Sequence, residues 1–407
     1  MNQLYIRRNI ESLLVEVAGQ FPAITLTGPR QSGKTTILKK IFGSSHRYVS
    51  MELPHLREAA QVDPQGFLES NPPPVIIDEI QYAPILFPYI KEIIDQRRDE
   101  TGLFLLTGSQ NFTLLENITE SLAGRTAVLK LFSLSLNEIA GIEDISFPWE
   151  RESKLQSHPT ISIVDLWQNL MRGFYPELVS KPHLNQEVWH GSYIQTYIDR
   201  DVRSIRQVGD LTIFQSFIRT LAARSGQLLN LSDIARDLGI SFSTAKQWLS
   251  VLEASFLVII LRPYFVNVGK RLVKSPKIYF TDTGTLCYLT GLKDSEHAAS
   301  GPMSGAIFET AVVIEIYKRI LHRGQMPRLY FWRTSSGTEV DVLIDEGNRL
   351  IPIEIKQSAT PRPRMASSIR SIMSDFPNQI DRGYVIHTGS DQMPLAPNIT
   401  ALPFSEL

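Results

Sequence analysis

Apolar positions in the first third of the chain fall into short unbroken runs separated by amphipathic stretches. Ala23 to Thr27, Val75 to Ile77 and Leu103 to Thr107 read as strands, because continuous apolar runs of this length suit a sheet covered on both faces. The stretches between them repeat their apolar residues at helical spacing. From Leu4 to about Ala140 this alternation predicts an α/β fold around a mostly parallel sheet. The pattern lapses between roughly Gly141 and Thr160, where Glu-Arg-Glu-Ser-Lys-Leu-Gln-Ser-His-Pro predicts a surface connection, and helical spacing resumes at Val164. Leu211 to about Tyr288 reads as helical and then strand-like, and from Gly305 onward helix and strand are mixed again. The expected division is an α/β core over 1–145, a helical linker or lid over 146–205, a winged helix over 206–292 and a second α/β domain over 293–407.

Composition narrows the class. A length of 407 residues suits roughly three domains, and 43% hydrophobic with 20% charged residues is a globular balance. The net charge of −1 denies the molecule a global positive field, so nucleic-acid contact has to rest on local patches. No run of about 18 apolar residues occurs, and Arg7, Arg8 and Glu11 precede only a short apolar patch; a cytoplasmic protein without membrane association is expected. The single cysteine, Cys287, sits in Thr-Leu-Cys-Tyr-Leu and reads as a small buried apolar residue.

The chemistry is densest at Gly28-Pro29-Arg30-Gln31-Ser32-Gly33-Lys34-Thr35, which fits the P-loop pattern G-x-x-x-x-G-K-[ST] in full, between the run ending at Thr27 and the helical pattern from Thr36 to Ile41. Gly28 and Gly33 let the backbone curl so that consecutive N–H groups face phosphate oxygens at a helix N-terminus. Lys34 is placed to reach the β and γ phosphates, Thr35 to hold Mg²⁺, and Thr36 to extend the loop's contact with ATP.

Val75-Ile-Ile-Asp78-Glu79 is an apolar run ending in two acids, as expected of a buried strand delivering carboxylates to its C-terminal edge. Asp78 is expected in the Mg²⁺ shell, with Glu79 orienting the attacking water. The next run ends Thr107-Gly-Ser109-Gln110; Ser109, with Thr107 as the alternative, is the candidate γ-phosphate sensor. In Ser121-Leu-Ala-Gly-Arg125, Arg125 is either a guanidinium for transition-state charge, in cis or in trans, or a helix-dipole partner at the surface.

These blocks together resemble a family of prokaryotic AAA-type ATPases. Gly173-Phe-Tyr-Pro176, Tyr197-Ile-Asp-Arg-Asp201-Val and Tyr279-Phe-Thr-Asp-Thr-Gly284 are similar to that family's C-terminal domain of unknown function. The resemblance covers nearly the whole chain. It implies an ATP-binding core, a winged-helix-like middle, an end resembling the PD-(D/E)xK nuclease fold, and a homo-oligomer, in rings as AAA-type proteins generally form.

Two further constellations belong to the later regions. Ser232 reads as the cap of a helix from Asp233 to Leu238, Gly239 as its break, and Ser241 as the start of a second helix from about Ser243 to Glu253, a helix-turn-helix spacing. Phe256 to Leu261 and the basic stretch through Lys270, Arg271, Lys274 and Lys277 then read as a β-wing. With Lys246 on the second helix these cations are candidate DNA contacts, the alternative being a solvated face or a protein-binding surface. In the last region, Leu329 to Arg333, Glu339 to Ile344 and Leu350 to Lys356 read as strands, the latter two joined by Asp-Glu-Gly-Asn. Period-two alternation then puts Asp341, Glu354 and Lys356 on one face, with Asp341 diagonal to Glu354 and Glu309 available from a preceding helix. D-x12-E-x-K is the core arrangement of PD-(D/E)xK nucleases, with Asp341 and Glu354 as metal ligands, although Val340 stands where the proline is expected.

The leading expectation is therefore an oligomeric, Mg²⁺-dependent ATPase acting on branched, forked or broken DNA, with metal-dependent cleavage as an added option. The alternative is a nucleotide-switched assembly ATPase with a protein partner and no nucleic-acid chemistry. A P-loop kinase of a small substrate is disfavoured because Asp78-Glu79 supplies a water activator.

Overall fold

The computed structural model describes residues 5–109, 121–143, 146–150, 161–197, 210–265 and 274–407. β1 (Ala23–Thr27), β2 (Arg47–Ser50), β3 (Val75–Asp78), β4 (Phe104–Gly108) and β5 (Thr126–Lys130) form a five-stranded sheet in the order β2-β3-β4-β1-β5. Every pairing is parallel. Leu105 of β4 stands opposite Ile24 of β1 on one side and Ile76 of β3 on the other, so β4 lies between the P-loop strand and the acid strand. β1, β3 and β4 are buried at every position because helices cover both faces. Ile24, Leu26, Ile76 and Leu105 pack under the helices Glu11–Ala18 and Lys34–Phe42. Ala23, Val75, Ile77, Phe104 and Leu106 pack under Pro64–Ser70 and Leu86–Gln96.

The second sheet has eight strands in the order β12-β13-β11-β10-β9-β8-β6-β7. These are β6 (Val258–Pro263), β7 (Lys277–Phe280), β8 (Leu329–Arg333), β9 (Glu339–Asp345), β10 (Leu350–Lys356), β11 (Gly383–His387), β12 (Met393–Ala396) and β13 (Ile399–Pro403). β8, β9 and β10 form an antiparallel meander, and β11 returns parallel to β10 after the helix Ser367–Asp375. The long helix Ser304–His322 contacts β7 and β10 at one end and β5 of the first sheet at the other.

Between the sheets lie the helices Leu211–Ala222, Leu231–Asp237 and Phe242–Ala254, followed by the β6–β7 hairpin. Gly239, at φ +66°, breaks the second helix from the third, and the Ser241 hydroxyl caps the third by accepting from the Thr244 amide at 3.0 Å. The second helix starts two residues earlier than the spacing suggests, because Asn230 rather than Ser232 caps it, accepting from the Asp233 amide at 3.2 Å. Trp248 packs edge-on against Phe214 and Phe217 and fixes the triple. A single apolar cluster runs from Leu136 to Leu407 through this triple, the helices Ile163–Arg172 and Gln186–Tyr197, and the second sheet.

Two sequence blocks without an assigned role interlock within that cluster. A Cβ on Gly173 would lie 2.6 Å from Asp282 Oδ1, and one on Gly284 would lie 2.6 Å from the Arg172 carbonyl oxygen. Asp282 also accepts from the Phe174 amide at 2.8 Å. Gly173-Phe-Tyr-Pro176 and Asp282-Thr-Gly284 are thus two halves of one packing seam, where the glycines permit close backbone approach.

Candidate nucleotide-binding site

The turn from β1 into the helix Lys34–Phe42 requires its glycines. Gly28 has φ +145° and a Cβ there would lie 2.1 Å from the Leu131 carbonyl oxygen, while Gly33, at φ +94°, is the helix N-cap. Lys34 is buried, and its ammonium crosses the loop to the carbonyls of Gly28 and Pro29 at 2.9 and 2.8 Å. Asp78 ends β3 and gathers three hydroxyl donors: Thr35 at 2.7 Å and Thr107 at 2.6 Å on Oδ1, and Tyr48 at 2.8 Å on Oδ2. Thr35 and Asp78 are therefore side by side, as a shared Mg²⁺ requires. The hydroxyls of Thr27 and Ser32 are buried with no hydrogen-bond partner, so the loop holds polar capacity that a phosphate group would use. The donor set fits the triphosphate and its metal.

Glu79 follows at φ +53°, a left-handed conformation that bulky residues adopt only where the surroundings impose it. Its Oε2 accepts from Ser109 Oγ at 3.0 Å and from the Gln81 amide. Burial alone would raise this carboxyl, but Lys34 and the Gln81 and Ser109 donors outweigh it and hold Glu79 below the ordinary glutamate value, ionised. Ser109 thus touches the carboxylate expected to orient water. Thr107 instead accepts from the Glu79 amide at 3.0 Å and donates to Asp78.

Arg125 is elsewhere. It immediately precedes β5, at the end of the sheet opposite the P-loop, and five residues of strand separate the two ends by roughly 16 Å. There it forms a two-pronged pair with Asp95 at 2.8 and 2.9 Å. It does not line the cavity that holds the P-loop.

That cavity, of about 990 Å³, has Arg30, Gln31, Lys34, Thr35, Thr36 and Glu79 on one wall and Glu177, Lys181, Trp189 and Tyr193 on the other. Lys181 pairs with Glu177 at 2.7 Å, and the Trp189 indole donates to the second Glu177 oxygen at 3.0 Å. These facing residues were not singled out by sequence; the only signal was the neighbouring Gly173-Phe-Tyr-Pro176 block. On the other side of Gly33 a smaller cavity of about 120 Å³ is lined by Tyr5, Ile6, Ile37, Leu134 and Pro176.

Arg8 is the other residue missed. Buried to 4% exposure, it donates to the carbonyls of Ser32 and Phe132, both at 2.8 Å, and pairs with Glu138 at 3.1 Å. Glu138 also accepts from the amides of Asn9 and Ser135, each at 2.8 Å, and lies 3.4 Å from His322 Nδ1 on the long helix. The P-loop backbone is thereby tied through two buried charges to the C-terminal part.

In the C-terminal sheet, Asp341, Glu354 and Lys356 do converge, and Glu309 joins them. The register Val342↔Ile353, carried one step, sets Glu354 directly opposite Asp341 rather than diagonal to it. Asp341 Oδ2 accepts from the Ile355 amide at 2.7 Å and Glu354 Oε2 from Ser368 Oγ at 2.7 Å. Lys356 pairs with Glu354 and stands 4.0 Å from Asp341.

Lys277 corrects the reading of a basic wing. Its side chain is 4% exposed, and its ammonium lies 2.8 Å from Glu309, 3.9 Å from Asp341 and in contact with Glu339. β7 is buried along its whole length and the carboxylates hold the Lys277 ammonium there, so it faces no DNA. Among the described residues no group of three or more His, Cys, Asp or Glu side chains is arranged to hold a metal ion. Lys246 and Lys274 are exposed; Lys270 and Arg271, like Ile198 to Val202, lie outside the described residues.

The parallel sheet in the order β2-β3-β4-β1-β5, with a P-loop after β1 and an acid pair after β3, defines a P-loop ATPase domain of the AAA type. The description "AAA domain" matches residues 20–140, and two domains of unknown function, DUF8612 and DUF4143, match 163–296 and 304–407. The uncharacterized proteins Rv2008c of Mycobacterium tuberculosis and Mb2031c of Mycobacterium bovis are each 30% identical over 403 residues, 98% of this chain and 84% of theirs. The chain belongs to the family of these two proteins, with an AAA-type ATPase domain ahead of two domains of unknown function. Among solved structures, the Walker-type ATPase PABY2304 of Pyrococcus abyssi aligns over 70% of this chain and 96% of its own at 14% identity, with a TM-score of 0.46. A single-substitution variant of RuvB from Thermotoga maritima aligns over 61% and 86% at 16% identity, with a TM-score of 0.28. Both are loose likenesses. Among the described residues no helix is long and apolar enough to cross a membrane.

Proposed function

We propose that this protein is a Mg²⁺-dependent ATP hydrolase whose nucleotide state is passed to its helical and C-terminal parts, and that it works as an assembly in which a neighbouring copy supplies Arg125. The observation that carries this reading is the shared cavity: Glu79 and the P-loop form one wall, and Glu177, Lys181 and Trp189 of the middle region form the other.

In this reading the amides from Gly28 to Thr36 and the Lys34 ammonium hold the triphosphate, while Thr35 and Asp78 hold the metal. Magnesium, when bound, neutralises charge on the β and γ oxygens. Glu79, ionised and held by Ser109 and Gln81, accepts a hydrogen bond from the attacking water and orients it. The apolar cleft between Ile6, Ile37 and Pro176 suits a nucleobase ring. Lys181, on leaving Glu177, meets the γ-phosphate in cis. Arg125, too distant from its own P-loop, presents its guanidinium to the site of the next copy, since AAA-type ATPases place such a charge across an interface.

The test is complementation by mixing. Arg125→Ala and Glu79→Gln are each expected to lose turnover alone, and a mixture to regain it, because the intact site of one meets the intact arginine of the other. A mixture as inactive as its components overturns action in trans. Lys34→Ala is expected to abolish nucleotide binding in equilibrium titration.

Action on DNA is a second reading, supported by the three-helix arrangement with its hairpin and by exposed Lys246 and Lys274. Two other cations of that unit are paired with acids, Arg224 with Asp237 at 3.4 Å and Arg236 with Asp233 at 3.1 Å, which favours a protein partner over a polyanion. ATPase stimulation by single-stranded, duplex or branched DNA, lost in Lys246→Glu/Lys274→Glu, decides for DNA. A stoichiometric protein partner recovered without nucleic acid decides against it.

A further inference from the structure

The acidic cluster of the C-terminal sheet has the residue types of a metal-dependent phosphodiesterase, and its interior position is taken by a cation of the chain itself. We infer that Lys277 stands where a divalent ion would otherwise be bound, so that Glu309, Glu339, Asp341 and Glu354 form a lysine-centred clasp between the edge strand β7 and the long helix with β9 and β10, instead of a metal centre.

The geometry carries this at several independent points. Lys277 Nζ lies 2.8 Å from Glu309 Oε1 and 3.9 Å from Asp341 Oδ1, and it also bonds Glu339. The Tyr279 hydroxyl donates to the same Glu309 oxygen at 2.6 Å, so that oxygen already has two donors. Asp341 is satisfied on its other oxygen by the Ile355 amide at 2.7 Å, with the Lys356 ammonium 4.0 Å away. Glu354 accepts from Ser368 at 2.7 Å and from Lys356. Arg333 takes the remaining Glu339 oxygen at 2.8 Å. A divalent ion needs about six oxygen ligands with free lone pairs; here Glu309 Oε1, both Glu339 oxygens, Asp341 Oδ2 and both Glu354 oxygens already face ammonium, guanidinium, hydroxyl or amide donors.

The charges also balance without a metal. Four carboxylates meet Lys277, Lys356 and Arg333, and the one surplus negative charge needs only one proton. Burial and the nearby Asp341 carboxylate push both Glu309 and Glu354 up to about 7, so the cluster holds such a proton near neutrality. The clasp joins segments far apart in sequence: Lys277 and Tyr279 lie within the match to one domain of unknown function, 163–296, and the acids within the other, 304–407. Removing the ammonium would leave buried carboxylates uncompensated, which is strongly destabilising.

The probe is Mn²⁺, titrated into the nucleotide-free full-length protein and followed by the loss of its free-ion electron paramagnetic resonance signal. Wild type is expected to show no Mn²⁺ uptake that Asp341→Asn abolishes. Lys277→Gln is expected to gain a saturable site, at least tenfold tighter than any in wild type, which the added Asp341→Asn removes. An Asp341-dependent Mn²⁺ site in wild type overturns the inference, and so does a folded Lys277→Gln that gains none. If Lys277→Gln does not fold, the wild-type comparison with Asp341→Asn still decides. The P-loop takes no part in either outcome, because Asp341 and Asp78 sit in different sheets.

Discussion

Replacing Glu138 by glutamine removes one charge from the middle of a buried line. Glu138 and Arg8 are almost fully enclosed, at 0% and 4% side-chain exposure, with the paired atoms 3.1 Å apart. Glutamine keeps the shape but leaves the Arg8 guanidinium without a counter-charge, and its NH₂ group meets one of the two amide donors, Asn9 or Ser135, where a carboxylate oxygen accepted. Breaking a buried pair in this way costs about 3–5 kcal/mol. A cooperative unit of 150–250 residues shifts by roughly 2–4 °C for each kcal/mol, so the melting temperature should fall by about 6–20 °C. The change is also expected to weaken ATP binding, because Arg8 holds the Ser32 carbonyl of the P-loop. Circular-dichroism melting with and without ATP measures both effects, and Glu100→Gln, in the exposed Arg97 pair, serves as a control that leaves the melting temperature unchanged. The pH dependence has a definite sign. Burial alone would raise the Glu138 carboxyl, but Arg8 and His322 reverse this and hold it well below the usual range. A depressed acid contributes its full stability above the unfolded value, about 4.3, and loses it as pH falls below that. Wild type and Glu138→Gln should therefore differ fully at pH 7 and converge below about pH 4. A melting shift no larger than that of the control at pH 7 refutes the reasoning.

Three further outcomes follow from the site. Glu79→Gln should keep ATP affinity in equilibrium titration while turnover drops by about 10²–10⁴, the usual contribution of a positioned base; unchanged turnover would remove Glu79 from the mechanism. Gly28→Ala should lose nucleotide binding or fail to fold, because its Cβ would lie 2.1 Å from the Leu131 carbonyl oxygen, and a variant that binds ATP normally contradicts this. His322, which burial holds below the ordinary histidine value, is neutral in the fold and charged in the unfolded chain at low pH, so it should take stability away as pH falls below about 6.5. His322→Gln is expected to flatten the decline in melting temperature over that interval.

Much of the nucleotide site was legible because its chemistry is local. Gly28 to Thr35 form a single loop, Asp78 and Glu79 are adjacent, and Val-Ile-Ile and Phe-Leu-Leu announce strands buried on both faces. β2 and β5 were not legible: Arg-Tyr-Val-Ser and Thr-Ala-Val-Leu-Lys are half-exposed edge strands without a continuous apolar run. The D-x12-E-x-K spacing did bring Asp341, Glu354 and Lys356 onto one face, since a hairpin of this length fixes its own register.

What the sequence determined by itself, then, was the set of short-range relations: the curl of the P-loop, the acid pair at a strand end, the Gly239 break with the Ser241-capped helix after it, and the hairpin carrying two carboxylates. Each depends on backbone conformation over a few residues, which side-chain type and period dictate directly. Only the tertiary structure decided what those groups meet. It turned Lys277 inward among Glu309, Glu339 and Asp341, set Arg125 at the far end of the sheet from its own P-loop, brought Lys181 opposite Glu79, and joined Arg8 to His322 through Glu138. Buried charges find partners wherever the folded chain delivers them, because an unpaired charge in the interior costs several kcal/mol, and that pairing leaves no periodic trace along the chain.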